Sequence, residues 1–364
     1  MTTVGVEEEF LLADPATGRT VPAADRVLAN ARGLPMAARD ARLHAELLAT
    51  QVEAATGICH SLSELADQLV HARRQLATAA GELLVVPSGM APLGGDVEIA
   101  PGERFAAIAD RYAAVAADYQ ACGCHVHVCV PDQETAVAVT DHVRPWLPTL
   151  LALSANSPLC DGRDTGFASW RMMTQSRFPG SGVPPRFGSA RAHATRVARL
   201  VSAGVLLDEA MTFWLVRPSP SLPTVEFRVA DVSVDPEGAV LQAALSRALV
   251  HTALADLALG RPAPELDDQV AAAALWSAAR YGLDGPGVHP YLAVRVPATE
   301  LVADLVGTVH DALEEAGDLA MVESLLANHR TGARRQRALG DPLAVVRMLA
   351  RTSRTTGEAH ALSR

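Results

Sequence analysis

The sequence predicts an α+β fold built on a mainly antiparallel sheet, and three observations carry that prediction. Residues 1–12, 124–130 and 224–232 alternate apolar and polar side chains as half-buried strands do. Helical stretches, with apolar residues three and four apart, lie between them. The connections are long and irregular, unlike the regular βαβ units of a parallel sheet. The chain has 364 residues, 49% of them apolar and only 4% aromatic, so its core must rest mainly on Ala, Leu and Val. No repeat or low-complexity linker divides it, and residues 1–364 read as one domain.

In order along the chain, residues 1–12 form the first expected strand, closed by a turn at Asp14-Pro15 and Gly18. Gln51–Ala55 can be a short strand. Ser61-Leu62-Ser63-Glu64 is a capping box that opens a helix with Leu62, Leu65, Leu69 and Leu76 inward, ending near Gly81. A short strand is expected at Leu83–Val86, a helix over Glu103–Gln120, and a strand over Cys124–Val130. A further helix starts near Glu134. Ser154–Ser189 reads as one long polar loop of the kind that is usually functional or disordered. Strands at Phe213–Val216 and Thr224–Val232 flank a Pro- and Ser-rich turn, and an apolar helix runs from Pro236 to Leu259 before a mostly helical end.

Composition excludes several chemistries. Every one of the 31 basic residues is arginine, so there is no P-loop, Schiff-base or general-base lysine. Phosphate would have to be held by arginine, histidine, backbone N–H groups or metal ions. The net charge of −10, without a basic block, argues against nucleic acid as partner. No apolar run suits a bilayer, so no membrane is expected either. Five cysteines and no signal-like opening point to a reduced, cytoplasmic protein.

Side chains two apart share a strand face. Glu7 and Glu9 therefore share one face, with Val4, Val6, Phe10 and Leu12 opposite, interrupted only by Glu8. His125 and His127 share a face, and so do Glu226 and Arg228. Like carboxylates two apart repel unless a cation lies between them. Clusters of Glu with imidazole suit magnesium or manganese. Glu46 and Glu53 lie seven apart, so a break in the chain is needed to bring them together. The cysteines of Cys122–Cys129 offer zinc as a rival, but alternation puts Cys122 and Cys124 opposite the two histidines.

Val4-Gly-Val-Glu-Glu-Glu-Phe-Leu-Leu12, Gly123-Cys-His-Val-His-Val128, Leu153-Ser-Ala-Asn-Ser-Pro158 with Gly162-Arg163-Asp164, and Pro223-Thr-Val-Glu-Phe-Arg-Val-Ala-Asp231 carry a resemblance. Together they resemble the type 2 glutamate–cysteine ligases, nearest the YbdK-type carboxylate–amine ligases. The likeness runs from residue 4 to about residue 350, with Gly332-Ala-Arg-Arg-Gln-Arg337 near its end.

The resemblance implies a glutamine-synthetase-like core, a curved sheet of about six strands flanked by helices. It implies ATP-dependent phosphorylation of a carboxylate, that of L-glutamate first, and displacement of phosphate by an amine. By motif, Glu7, Glu9, Glu46, Glu53, His125 and Glu226 become expected ligands for Mg2+ or Mn2+. Arg228 and Glu53 become expected catalytic residues, with Arg228 meeting the transferred phosphoryl group. Arg163 and Arg171 are expected at the substrate carboxylate or closing over it, or else on a mobile surface. His127 is expected at nucleotide or substrate, or behind a ligand that it orients. Arg335 and Arg337 are expected to reach phosphate. A homodimer is the remaining expected partner. The competing expectations are a guanidino-phosphotransferase of related fold and a zinc hydrolase centred on His125 and His127.

Overall fold

The computed structural model describes residues 2–36 and 38–355, so residues 356–364 of the expected 1–364 domain lie outside the described residues. Seven strands form its main sheet. They are β1 (Val4–Ala13), β2 (Arg42–Ala45), β3 (Gln51–Ala55), β4 (Leu84–Val86), β5 (Gly123–Cys129), β6 (Val216–Pro218) and β7 (Thr224–Asp231). The order across the sheet is β6-β7-β5-β1-β3-β2, with β4 paired to the end of β1. Every pairing in it is antiparallel.

Alternation decides which face is dry. Val4, Val6, Phe10 and Leu12 of β1, Cys124, Val126 and Val128 of β5, and Val225, Phe227 and Val229 of β7 are all buried. The helices Leu62–Ala80 and Pro236–Ala258 pack beneath this face. The first is capped as its sequence requires: Ser61 Oγ accepts from Glu64 N–H at 3.1 Å. Glu64 Oε2 reaches back to accept from His60 N–H at 2.8 Å.

Glu8 is the one carboxylate on the dry face, 1% exposed, and the helix answers it with Arg73, which is fully buried. Arg73 Nε donates to Glu8 Oε2 at 2.9 Å and Nη2 to Oε1 at 2.5 Å. The remaining donors go to Ser233 O at 2.8 Å and Val234 O at 2.9 Å. A charge this deep persists only when paired and hydrogen-bonded this fully.

Several expectations change. The sheet has seven strands among the described residues because Arg42–Ala45 pairs with β3. The expected helix Glu103–Gln120 splits into Glu103–Tyr112 and Ala114–Ala117, since Ala113 has φ 46°. That break lets Tyr112 and Tyr119 both meet the ring of Phe178 edge-on, at 5.5 and 4.9 Å. Ser154–Ser189 is not one loop: it holds the helix Trp170–Gln175 and two-residue strands at Leu159–Cys160, Arg163–Asp164 and Ser181–Gly182. Phe213–Val216 divides, with Phe213–Trp214 pairing Ser181–Gly182 before β6 begins. All five cysteines are free. No helix among the described residues is long and apolar enough to cross a membrane.

Candidate active site

The face of the sheet opposite the helices carries the ionisable groups. Antiparallel register sets Glu7 opposite His125, Glu9 opposite Glu53, Glu226 opposite His127, and Arg217 opposite Glu226. Carboxylate, imidazole and guanidinium groups therefore form one band across β6, β7, β5, β1 and β3. Glu46 joins it because the chain leaves β2 at Ala45 and re-enters the sheet at Gln51, which supplies the break that its spacing demands.

Three groups in the band could each hold a cation, with candidate ligand atoms within 4.8 Å of one another. They are Glu7, His127 and Glu226; Glu7, Glu53 and His125; and Glu9, Glu46 and Glu53. Glu7 and Glu53 are each shared by two groups. All six expected ligands come together, and His127 joins them. None of the three groups contains a cysteine. Cys124 is instead buried in the apolar cluster of the dry face, as the alternation predicted, whereas Cys122 is buried beside Gln51, whose Nε2 donates to its Sγ at 3.2 Å.

The distances bring imidazole and carboxylate groups close enough to share a cation. His125 Nδ1 lies 3.3 Å from Glu7 Oε2, and its Nε2 lies 3.8 Å from Glu9 Oε1. His127 Nδ1 is held by Thr224 Oγ1 at 2.9 Å, which fixes the ring. Its Nε2 is buried and makes no hydrogen bond, although Glu7 Oε1 is 3.4 Å away. Such an orphaned nitrogen, aimed among carboxylates, is the feature that a cation would satisfy.

The electrostatics divides the band into two ends. Burial pushes the Glu46 carboxyl up to about 8, helped by the charge of Glu9. Burial and then the neighbouring Glu46, Glu7 and Glu9 push Glu53 well above the carboxylate range. At the other end burial also opposes ionisation of Glu226, but Arg228 and Arg217 overcome it and hold the carboxyl well below its usual value. Glu7 behaves likewise, burial being outweighed by the imidazoles of His125 and His127.

Arg228 sits where β7 bulges. Phe227 pairs with Val126 and Ala230 with Cys124, so Arg228 and Val229 together stand opposite His125. Its Nη1 donates to Glu226 Oε1. Arg217 holds the other oxygen of the same carboxylate, Nε to Oε2 at 2.8 Å. Sequence alternation missed Arg217. Counting outward from the turn between β6 and β7 would have found it opposite Glu226.

The remaining arginines are placed differently. Arg171 is 2% exposed and points inward, with Nη2 on Arg228 O at 3.2 Å and Nη1 on Val229 O at 3.4 Å. Arg335 Nη1 pairs with Asp235 Oδ2 at 2.6 Å. Arg337 grips Asp164 with Nε and Nη2 at 2.9 and 2.8 Å. Arg163 is exposed on its two-residue strand. Among the described residues no hydrogen bond or ion pair joins Arg163, Arg335 or Arg337 to the carboxylate band.

Comparison with known proteins gives the band its context. The profile of the glutamate–cysteine ligase family 2 matches residues 3–359. A protein of Saccharopolyspora erythraea, provisionally named glutamate–cysteine ligase 2-2, is 57% identical over 96% of this chain and 91% of its own length. Among solved structures, the glutamate–cysteine ligase of Francisella tularensis in complex with AMP superposes with a TM-score of 0.72. It is 14% identical, and the match covers 99% of this chain and 90% of that one. A bifunctional glutathione synthetase from Pasteurella multocida gives a TM-score of 0.70 at 15% identity, over 97% of this chain and 52% of its own. At those identities the structures establish the fold, and the profile and the sequence relative establish the kinship. The chain belongs to the glutamate–cysteine ligase family 2 and is a carbon–nitrogen ligase.

Proposed function

We propose that the chain phosphorylates the γ-carboxylate of glutamate with ATP and joins the resulting acyl phosphate to an amine. The observation that carries this is the charge balance of the band. Among the described residues, the guanidinium groups in ion pairs with Glu7, Glu9, Glu46, Glu53 and Glu226 are two, Arg217 and Arg228, both on Glu226. That surplus, together with the unsatisfied His127 Nε2, fits divalent cations held mainly by oxygen. Glu7, Glu9, Glu46, Glu53, His125, His127 and Glu226 would hold Mg2+ or Mn2+. The ions would supply neutralisation of the triphosphate and of the charge that develops at the transferred phosphorus.

This chain's own residues do the rest. A carboxylate oxygen of the acid attacks the γ-phosphorus, the bond from that phosphorus to its bridging oxygen breaks, and ADP leaves. Arg228, anchored through one nitrogen by Glu226, presents its remaining donors to the phosphoryl oxygens. The amine nitrogen then attacks the acyl carbon, the carbon–oxygen bond to phosphate breaks, and a proton passes from the nitrogen to the departing phosphate. Glu53, whose carboxyl is pushed well above its ordinary range by burial and the neighbouring carboxylates, is both a shared ligand and the second catalytic candidate. Arg163 is free to meet the acid's carboxylate, whereas Arg335 and Arg337 reach phosphate only by leaving Asp235 and Asp164. The working unit is taken as one domain, cytoplasmic, and able to pair as a homodimer.

The test is release of ADP with glutamate and a panel of amines, products being identified by mass spectrometry. Turnover should need both co-substrates and Mg2+ or Mn2+, and Arg228→Lys should lower kcat by about 10²-fold. If no carboxylic acid supports ADP release with any amine, the proposal fails. Tightly bound zinc that is lost together with activity on chelation would overturn the metal assignment.

A further inference from the structure

We propose that the buried pair Arg171–Asp231 is a positioning clamp, which holds the bulge of β7 open and so aims Arg228 at the site. This rests on the assignment of Arg228 to the transferred phosphoryl group.

A bulge leaves its extra residue without a ladder partner, so something must satisfy the freed carbonyls and hold the shape. Here the two residues that stand against His125 are Arg228 and Val229. The carbonyls of those same two residues receive the Nη2 and Nη1 donors of Arg171. Arg228 N–H in turn donates to Leu215 O at 2.8 Å, outside the ladder with β5. The guanidinium thus stands in for the missing strand partner.

Asp231, fully buried, fixes the clamp from the far side of the bulge. Its Oδ1 lies 3.7 Å from Arg171 Nη1 and accepts from Ser169 Oγ at 2.8 Å. Its Oδ2 accepts from Asn156 N–H at 2.9 Å and from Ser157 Oγ at 2.7 Å. Ser157 Oγ also accepts from Arg171 N–H at 3.1 Å, so the pair is tied at both ends. The space is reserved for it. A Cβ on Gly123, the residue opposite Asp231, would lie 2.4 Å from Arg171 Nη2. A Cβ on Gly89 would lie 2.8 Å from Asp231 Oδ2.

Arg171 is buried away from solvent and gives both terminal nitrogens to strand carbonyls, so its effect on catalysis passes through Arg228. Three variants of the full chain test this: Arg171→Met, Arg228→Ala and the double variant. Arg171→Met should speed backbone amide exchange in a peptide covering 224–231 by at least about tenfold, with β1 and β3 unchanged. It should lower kcat by about 10²-fold, as displacement of a catalytic group by about 1 Å does, while KM for ATP stays near wild type. In the Arg228→Ala background the same substitution should change kcat by no more than about twofold. Additive losses would show Arg171 acting on substrate by itself and overturn the clamp, as would unchanged exchange over 224–231. Wild-type turnover by Arg228→Ala would overturn the role of Arg228 and the aiming with it, whereas the exchange experiment judges the clamp without any assay of activity. Should Arg171→Met fail to fold, Ser169→Ala removes one hydrogen bond from Asp231 and should loosen the same peptide to a smaller degree; no loosening there would equally overturn the clamp.

Discussion

Glu7, Glu8 and Glu9 are consecutive and chemically identical, yet the sheet sends them to two different worlds. Glu8 turns to the dry face and meets a complete set of partners in Arg73. Glu7 and Glu9 turn to the other face, where carboxylates outnumber guanidinium groups and a histidine nitrogen is left over. A buried charge with every partner in place supports the fold. A cluster that is short of positive charge costs stability until something binds, and natural chains keep such costs where function needs them. Completeness of pairing separates Glu8 from Glu7 and Glu9, whereas Glu226 is held at both oxygens by Arg217 and Arg228 and still belongs to the functional face.

The largest expected effect falls on the structural side. Glu8→Ala leaves Arg73 buried and unpaired and should cost about 3–5 kcal/mol in urea unfolding. The remaining folded protein should turn over at nearly the wild-type rate, and a loss of kcat at unchanged stability would erase the contrast. Next comes Glu226→Gln, which keeps shape but removes charge from the functional face. It should slow turnover by about 10³-fold, roughly 4 kcal/mol. Glutamine is the sharper probe than alanine because Arg217, 7% exposed, also depends on this carboxylate.

A smaller effect concerns the missing counter-charge. Manganese at a hundred times its dissociation constant should raise stability by about 2.7 kcal/mol, and a chelator should remove the gain. The pH dependence has a definite sign. With Glu46 pushed up to about 8 from its ordinary 4.5, the cation-free folded state binds more protons than the unfolded chain between those values. Its stability therefore falls as pH rises through that window, and the benefit of added manganese grows. Thermal unfolding from pH 5 to 8, with and without the ion, checks this; equal slopes would contradict it. The smallest effect is expected at Arg337→Ala, which breaks a half-exposed pair with Asp164 and should cost less than about 1 kcal/mol. A tenfold loss of kcat there would instead place Arg337 at the phosphate.

Much of this was legible in the sequence because alternation is a local rule. The faces of β1, β5 and β7 follow from residues two apart, and the cap at Ser61 follows from a spacing of three. What stayed hidden depends on partners far along the chain. Glu8 looked like an interruption until Arg73 stood beside it, whereas Arg217 is close enough in sequence to be counted out from its turn. The bulge could not be read at all, since nothing in Val-Glu-Phe-Arg-Val-Ala-Asp announces an extra residue. Ala113 looked helical in isolation and gave way to the packing of Tyr112 and Tyr119 on Phe178.

The position of β1 in the middle of the sheet also governs how the chain can be made. Within the sheet, β1 is made before every neighbour: β3 follows it, then β4, then β5, with β7 closing on β5 last. Arg73 can find Glu8 early, but the carbonyls of Ser233 and Val234 that complete its shell lie some 160 residues further on. Until β5 has been delivered, a central strand rich in Val, Phe and Leu waits with one side of its ladder unfilled. Assembly of this sheet is therefore a long-range event, slow by the rule that distant pairings fold slowly, and the nascent chain is most in need of a chaperone until β7 has been made.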